Sequence, residues 1–484
     1  MRQIKNKTFT SKWNLWLIIF SLFGLGSCRV PQENIRDQAH VPDRFKSSTS
    51  DSLALKGDTS SIASLHWDEF FLDKTLLNLI DTALAHNFDL QLAIKNIEAA
   101  QLLFKQAKTG YYPDVNLQVT ANTSRPSDNS LNGLSLNQFL GSKHIEDYTA
   151  AISLSWEADI WGKIKSQKAA ALANYLQTEE AQKAVQTQLV AQVAQGYFNL
   201  LMLYQQLETA KQNLALNDST LSVIRQQYEV GDVSLLGLEQ AEAQRLTAAS
   251  LVPNFEQAIA LQENALHVLS GTYPSTLKVK ARLSEIRIPE DLPAGVPSSL
   301  LSRRPDVRQA ELAVVTAQAN THFAKASLYP SLTITAQGGV NAFTASNWFN
   351  IPASLFGAAA GGLTQPIFQR RQLKTQYQVA KIDQEKSVIQ FKQSVVKAVG
   401  EVSDALVKID KLAQQEQLNS QRTDKLQQAI QHANLLFSTG EANYLEVITA
   451  QSNVLQSELE LAEVKKAQLD AMVDLYRALG GGWL

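Results

Sequence analysis

Apolar and polar residues alternate in two ways along this chain, and the same order of patterns occurs twice. Ala-rich stretches with helical spacing precede Tyr112-Pro113 and Tyr329-Pro330. The first carries Ala100-Gln101 and Ala107-Lys108, the second Ala317-Gln318 and Ala324-Lys325. Strict alternation follows each. Val115, Leu117, Val119 and Ala121 face one way, and Asn116, Gln118, Thr120 and Asn122 the other. A second run sets Ala150, Ile152, Leu154, Trp156 and Ala158 against Thr149, Ser153, Ser155, Glu157 and Asp159. The later half sets Leu332, Ile334, Ala336 and Val340 against Thr333, Thr335 and Gln337, and adds a Gly/Ala-rich run from Leu355 to Leu363. A period of two predicts a strand in each run, four in all.

Each pair of strands feeds a long helical pattern. Residues 163–230 hold no proline and only Gly196; residues 370–439 hold no proline and only Gly400. About 68 helical residues span roughly 100 Å. The pattern breaks at Gly231-Asp232 and Gly440-Glu441, and return helices are predicted from about Leu235 to Leu269 and from about Tyr444 to Leu479. After the breaks, Leu235-Leu236 and Gln240-Ala241 match Tyr444-Leu445 and Thr449-Ala450. Leu445, Ile448, Leu455, Leu459 and Ala462 make a heptad-like seam, which suits helices packed side by side in a wall. Upstream, helical spacing runs from near Leu76 to about Gly110, where Tyr111-Tyr112-Pro113 stops it. A duplication this long means two copies of one unit, neither able to bury its apolar faces alone.

The predicted organisation is a leader at 1–27, a polar tether at 28–65, a first repeat at 66–271, a linker at 272–300 and a second repeat at 301–484. The linker holds Pro274, Pro289, Pro293 and Pro297, and Pro305 with Asp306 opens the next helix. In the leader, Arg2, Lys5, Lys7 and Lys12 precede the apolar run Trp13 to Leu25, and Leu25-Gly26-Ser27-Cys28 resembles a bacterial lipobox. Cys28, the only cysteine, is the expected lipid-attachment residue; with no second cysteine there is no internal disulfide or thiolate metal site. Arg29 follows where an inner-membrane lipoprotein usually has Asp, which points to the outer membrane.

No long apolar run follows the leader, so a membrane crossing falls to the strands. Aromatics gather at the strand ends (Tyr111, Tyr112, Tyr148, Trp156, Trp161, Tyr329, Phe343, Trp348, Phe349 and Phe368), as in an interfacial girdle. The segments Thr123–Asp147 and Asn341–Ser354 are expected to be exposed polar loops. Four strands leave open edges, at several kcal/mol for each unpaired group in lipid, and the smallest closed outer-membrane barrels have about eight strands. A membrane barrel therefore requires an oligomer, and three chains would supply twelve strands.

Losing the leader's four basic residues leaves 40 Lys and Arg against 46 Asp and Glu, which does not suggest a nucleic-acid binder. The seven histidines are scattered without metal-ligand spacing, and no HExxH, GxSxG or phosphate-loop pattern is present. No enzyme and no cofactor is expected.

Several segments together resemble a family. Leu300-Leu301-Ser302-Arg303-Arg304-Pro305-Asp306-Val307-Arg308-Gln309-Ala310-Glu311 resembles the RRPD motif of TolC-type outer-membrane efflux proteins, in their OprM/NodT-like lipoprotein branch. Trp156-Glu157-Ala158-Asp159-Ile160-Trp161-Gly162-Lys163 resembles that branch's strand-to-helix junction, with Pro366-Ile367-Phe368 as its second-half counterpart. Tyr228-Glu229-Val230-Gly231 and Phe437-Ser438-Thr439-Gly440 resemble the tip turns, and Leu479-Gly480-Gly481-Gly482-Trp483 the C-terminal ending.

The resemblance implies a mainly α homotrimer: a twelve-stranded β-barrel in the outer membrane, a long α-helical barrel through the periplasm, and a periplasmic adaptor and an inner-membrane pump of the resistance-nodulation-division type as partners. It places a gate at Leu236, Leu445, Glu446 and Thr449, and adaptor contacts at Gly231, Asp232, Gly440 and Glu441. Thr449 and Gly237 stand where relatives often carry acids. Glu446 has two readings: one acid of a threefold ring, or a first-turn carboxylate favoured by the helix dipole. Arg303 and Arg304 read as packing and capping residues where the linker enters a helix. The function implied is a passive exit duct; the alternative is a lipid-anchored helical solute-binding or scaffolding lipoprotein.

Overall fold

A computed structural model describes residues 36, 41, 42, 45, 61–279, 281–286 and 293–483. The chain divides into Met1–His40 and Val41–Leu484, and every element named below belongs to the second unit. The leader and Cys28 lie outside the described residues.

The elements run α1 (Trp67–Phe70), α2 (Lys74–His86), α3 (Phe88–Thr109), β1 (Asp114–Ser124), α4 (Leu131–Leu140), β2 (Ile145–Ala158), α5 (Lys163–Glu229) and α6 (Leu235–Leu269). After the linker come α7 (Leu300–Arg303), α8 (Pro305–Ala326), β3 (Ser331–Ala342), β4 (Leu355–Thr364), α9 (Gln372–Ser438) and α10 (Tyr444–Ala478). The duplication extends to length. Both long helices have 67 residues, both return helices 35, and α3 and α8 have 22 each. The two copies can therefore lie side by side with their turns at one level.

Two expectations need correction. The helical stretch from Leu76 to Gly110 is two helices, because Asn87 adopts extended backbone and its side chain accepts from Leu90 N–H. Its amide also donates to Leu269 O at 2.9 Å, tying the break to the end of α6. The segment Thr123–Asp147 is not all loop, since α4 lies inside it. Pro253 sits within α6 on an exposed face, where the missing ladder bond falls toward water.

The sheet order is β1-β2-β3-β4, all antiparallel. Its register aligns Leu117, Ile152, Gly338 and Gly357, and next to them Val119, Ala150, Val340 and Leu355. One face is thus apolar across four strands, while Ser153, Ser155, Glu157, Thr333, Thr335 and Gln337 occupy the other. At the end remote from the helices, Tyr148 packs on Trp348 with centroids 5.4 Å apart. At the helix end, Trp156 Nε1 donates to Tyr111 O at 2.9 Å. Tyr148 and Trp156 share the apolar face about 26 Å apart along the strand, close to the height of an outer-membrane apolar band.

The core lies midway along α5. Tyr197, Phe198, Leu200 and Leu201 pack near Leu76 and Ile80 of α2 and Leu475 and Tyr476 of α10, all almost fully buried. Phe70 stacks on Tyr476 at 4.2 Å, Tyr197 Oη donates to Asp73 at 2.9 Å, and Tyr476 Oη donates to Leu65 O at 2.8 Å. Burying each such side chain contributes about 1.5–3 kcal/mol, so this belt holds the N-terminal helices, α5 and the C-terminus as one body.

Candidate functional site at the helical tip

Each long helix ends in the same turn. Gly231 has φ +88° and Gly440 φ +79°. Gly231 N–H reaches Tyr228 O at 3.0 Å and Asp232 N–H reaches Gln227 O at 2.9 Å; Gly440 and Glu441 repeat this on Phe437 O and Leu436 O at 3.2 and 2.9 Å. This is the pairing that satisfies terminal carbonyls through a left-handed residue. Nothing lies within 4 Å of a Cβ added at either glycine, so the residue type is fixed by backbone conformation, not by space. Gly440→Val should cost about 1–2 kcal/mol and lower the protein's melting temperature; an unchanged melting temperature would contradict this.

The next helices start on side-chain caps. Ser234 Oγ accepts from Gly237 N–H at 3.3 Å. Asn443 Oδ1 accepts from Leu445 and Glu446 N–H at 2.9 and 3.2 Å, and Glu446 Oε2 accepts from Asn443 N–H at 3.0 Å. Glu446 thus completes a capping box. Leu236 and Leu445 are 60% and 55% exposed in a single chain, and Thr449 Oγ1 donates to Leu445 O. The buried line of α10 runs through Val447, Gln451, Ser457 and Ala462. It shares Ala462 with the expected Leu445–Ile448–Leu455–Leu459–Ala462 seam, departs from the rest of it, and admits polar side chains.

Gln451 of this line, with Tyr444 of the first turn, joins the two copies, while Ser457 bonds Thr423 within its own hairpin. Tyr444 Oη donates to Gln240 Oε1 at 2.7 Å, and Gln451 Nε2 donates to Thr220 Oγ1 at 2.7 Å. The Tyr444 ring lies over Gly237, where an added Cβ would sit 2.9 Å from Cε1 and 2.7 Å from Val233 Cγ1. Within each hairpin the bonds are ionic. Arg225 pairs with Glu242 at 2.8 Å and Arg245 with Asp218 at 2.7 Å in the first; Arg422 pairs with Glu460 in the second. Sequence reasoning missed the pairing of Tyr444 with Gln240 and the reason for Gly237; the one available signal was that Gly237 stands where the second copy has Glu446.

A second cluster ties the start and the end of the second repeat to the middle of α9. Arg304 is buried; its Nε and Nη2 donate to both oxygens of Asp306 at 2.9 and 2.6 Å, and its Nη1 donates to Glu401 at 2.8 Å and to Ala478 O at 3.0 Å. Burial alone would push the Asp306 carboxyl up, but the hydrogen bonds and charge of Arg304 outweigh it and hold it below the usual carboxylate range. Arg303 O accepts from Trp483 Nε1 at 3.2 Å, and a Cβ on Gly480 would lie 2.8 Å from that oxygen. The motif read as packing and capping is a clasp joining α8, α9 and the C-terminus. Among the described residues no helix is long and apolar enough to cross a membrane, and no cluster of three or more His, Cys, Asp or Glu is placed for a metal.

A sheet with a lipid-compatible face and open edges, set on helices about 100 Å long, defines a membrane duct built from several chains. The "Outer membrane efflux protein" family model matches residues 79–272 and 296–481, and the chain belongs to that family. It is 30% identical over 471 residues to a probable outer membrane lipoprotein, SilC, of Salmonella typhimurium, covering 97% of this chain and 98% of SilC. It is also 30% identical over 471 residues to the toluene efflux pump outer membrane protein TtgI of Pseudomonas putida, covering 96% of this chain and 98% of TtgI. A crystal structure of CusC superposes with TM-score 0.78 at 28% identity, covering 92% of this chain and all of that one. The protein is thus a TolC-type outer-membrane channel of a tripartite efflux system. In such channels three chains close a twelve-stranded barrel, and the sheet described above is one chain's share.

Proposed function

We propose that the chain is a passive exit duct, closed at its periplasmic tip by an apolar ring of Leu236 and Leu445, with Glu446 and Thr449 lining the same level. The carrying observation is the soft seam between the hairpins. Among the described residues, neutral hydrogen bonds from Tyr444 and Gln451 join them near the tip, whereas ion pairs brace each hairpin internally. Each neutral bond contributes about 0.5–1.5 kcal/mol, so the hairpins can part as stiff units. The turns at Gly231-Asp232 and Gly440-Glu441 are the surfaces offered to a periplasmic adaptor, which couples the duct to an inner-membrane pump. Energy comes from the pump; the duct contributes a route. Cys28 carries the lipid that anchors each chain to the outer membrane.

Purified trimer in planar bilayers should conduct ions without added energy, in steps that grow when the tip is loosened. A trimer that never conducts would refute the duct. Mass spectrometry of the mature N-terminus should find an acylated Cys28; an intact leader, or cleavage well beyond Cys28, would refute the anchor.

A further inference from the structure

The junction between barrel and helices holds a cavity that gating does not use. It encloses about 400 Å³ between the end of β2, the start of α5, the end of α8 and the start of α9. Glu157, Ser331 and Thr364 line it, and all three lie on the polar face of the sheet. Since the apolar face meets lipid, this cavity opens toward the water-filled interior. Its wall is a stacked pair: Trp161 and Tyr329 have centroids 4.8 Å apart and an interplanar angle of 25°. Trp161 Nε1 donates to Pro330 O at 2.7 Å, which fixes the ring, yet Trp161 and Tyr329 remain 46% and 43% exposed. Trp161 therefore departs from the lipid girdle, where Trp156 stands.

The charges are unequal. Glu157 pairs with Lys163 at 3.0 Å, while both oxygens of Asp159 accept from the N–H groups of Ile164 and Lys165 at 2.9 Å. Two carboxylates face one ammonium. A flat aromatic wall beside a net negative charge favours one ligand class, because a ring face attracts cations and planar rings stack on it. We propose that this cavity is a cargo subsite for planar aromatic cations travelling through the duct, one per chain. The inference rests on the exit-duct reading and specifies what that duct holds at its collar.

The test uses full-length trimer in detergent, with proflavine as the planar cation and acridone as its neutral counterpart. Proflavine fluorescence anisotropy should saturate at one dye per chain. Trp161→Leu should weaken binding about fivefold by removing the ring face, and Glu157→Gln about threefold by removing a charge. Trp161→Phe keeps a flat face and loses only the bond to Pro330 O, so it should bind nearly as well as the parent. Acridone should bind more weakly than proflavine and ignore Glu157→Gln.

Unsaturable binding overturns the subsite. So does equal loss in Trp161→Leu and Trp161→Phe, which would assign Trp161 to the fold alone, and so does acridone binding as tightly as proflavine. Bilayer conductance of the same preparations separates the two readings. Conducting trimers that bind no dye remove the subsite and leave the duct; trimers that never conduct remove the duct.

Discussion

Replacing Arg304 with Met lowers trimer stability by about 3 kcal/mol, the low end for breaking a buried ion pair, because Asp306 keeps partial access to water. The substitution leaves the Glu401 carboxylate with Lys397 alone, at 3.8 Å, leaves the Ala478 carbonyl without its donor, and loosens the end of α10 from α8. Arg303→Met makes the comparison sharp. Arg303 Nη1 is buried with no partner among the described residues, so removing it should cost little. Thermal scans at one fixed rate, with trimer yield on gels, compare the two; equal losses would show that the clasp acts through bulk and not through charge. The pH dependence has a definite sign. Asp306 is held below its ordinary value in the folded protein. Its contribution is therefore fully present above the unfolded value near 3.9 and is lost as pH falls through the folded one. Acid should thus narrow the gap between parent and R304M.

The second large effect is expected at the tip. Gly237→Leu places side-chain atoms where the Tyr444 ring now lies. Tyr444 must move, and with it the first turn of α10 that presents Leu445. Purified G237L trimers should show raised single-channel conductance, and cells carrying them should become sensitive to large antibiotics. Tyr444→Phe removes only the bond to Gln240, so it should shift the open-to-closed ratio by a factor of about 2 to 10. The double variant Leu445→Ser with Glu446→Ala should also raise conductance, by removing the apolar ring and the Glu446 half of the capping box. An intact G237L trimer with unchanged conductance would place the closure elsewhere. Since Thr449 and Gly237 carry no charge, cation block should be weaker than at an acid-rich tip.

Much of this architecture was legible because its signals are local. Gly231 and Gly440 interrupt proline-free helices, so both turns and both return helices could be placed within a residue or so. Alternation in β1 to β3 gave not only the strands but the face each side chain occupies. The break at Asn87 was hidden because apolar spacing continues through it; only the capping geometry shows that one helix has become two. α4 was hidden for the opposite reason, since a short helix in a polar segment has no strong apolar period. Neither the Tyr444–Gln240 bond, spanning 204 positions, nor the Arg304 clasp leaves a mark in any short window. For Glu446 the first-turn position is local and visible in the sequence, while its bond back to Asn443 N–H and its place around an axis are not.

The matched turns carry a consequence for counting. Three chains with two turns each present six loops at one level, alike in backbone and different in side chains: Tyr228-Glu229-Val230 before one glycine and Phe437-Ser438-Thr439 before the other. A ligand ring that reads only the shape of the turn meets a quasi-sixfold crown and can seat six identical subunits. One that reads side chains meets two alternating sockets and must bind them with two affinities. The stoichiometry of docking is thus written into how little the two copies differ in backbone, and its cooperativity into how much they differ in chemistry.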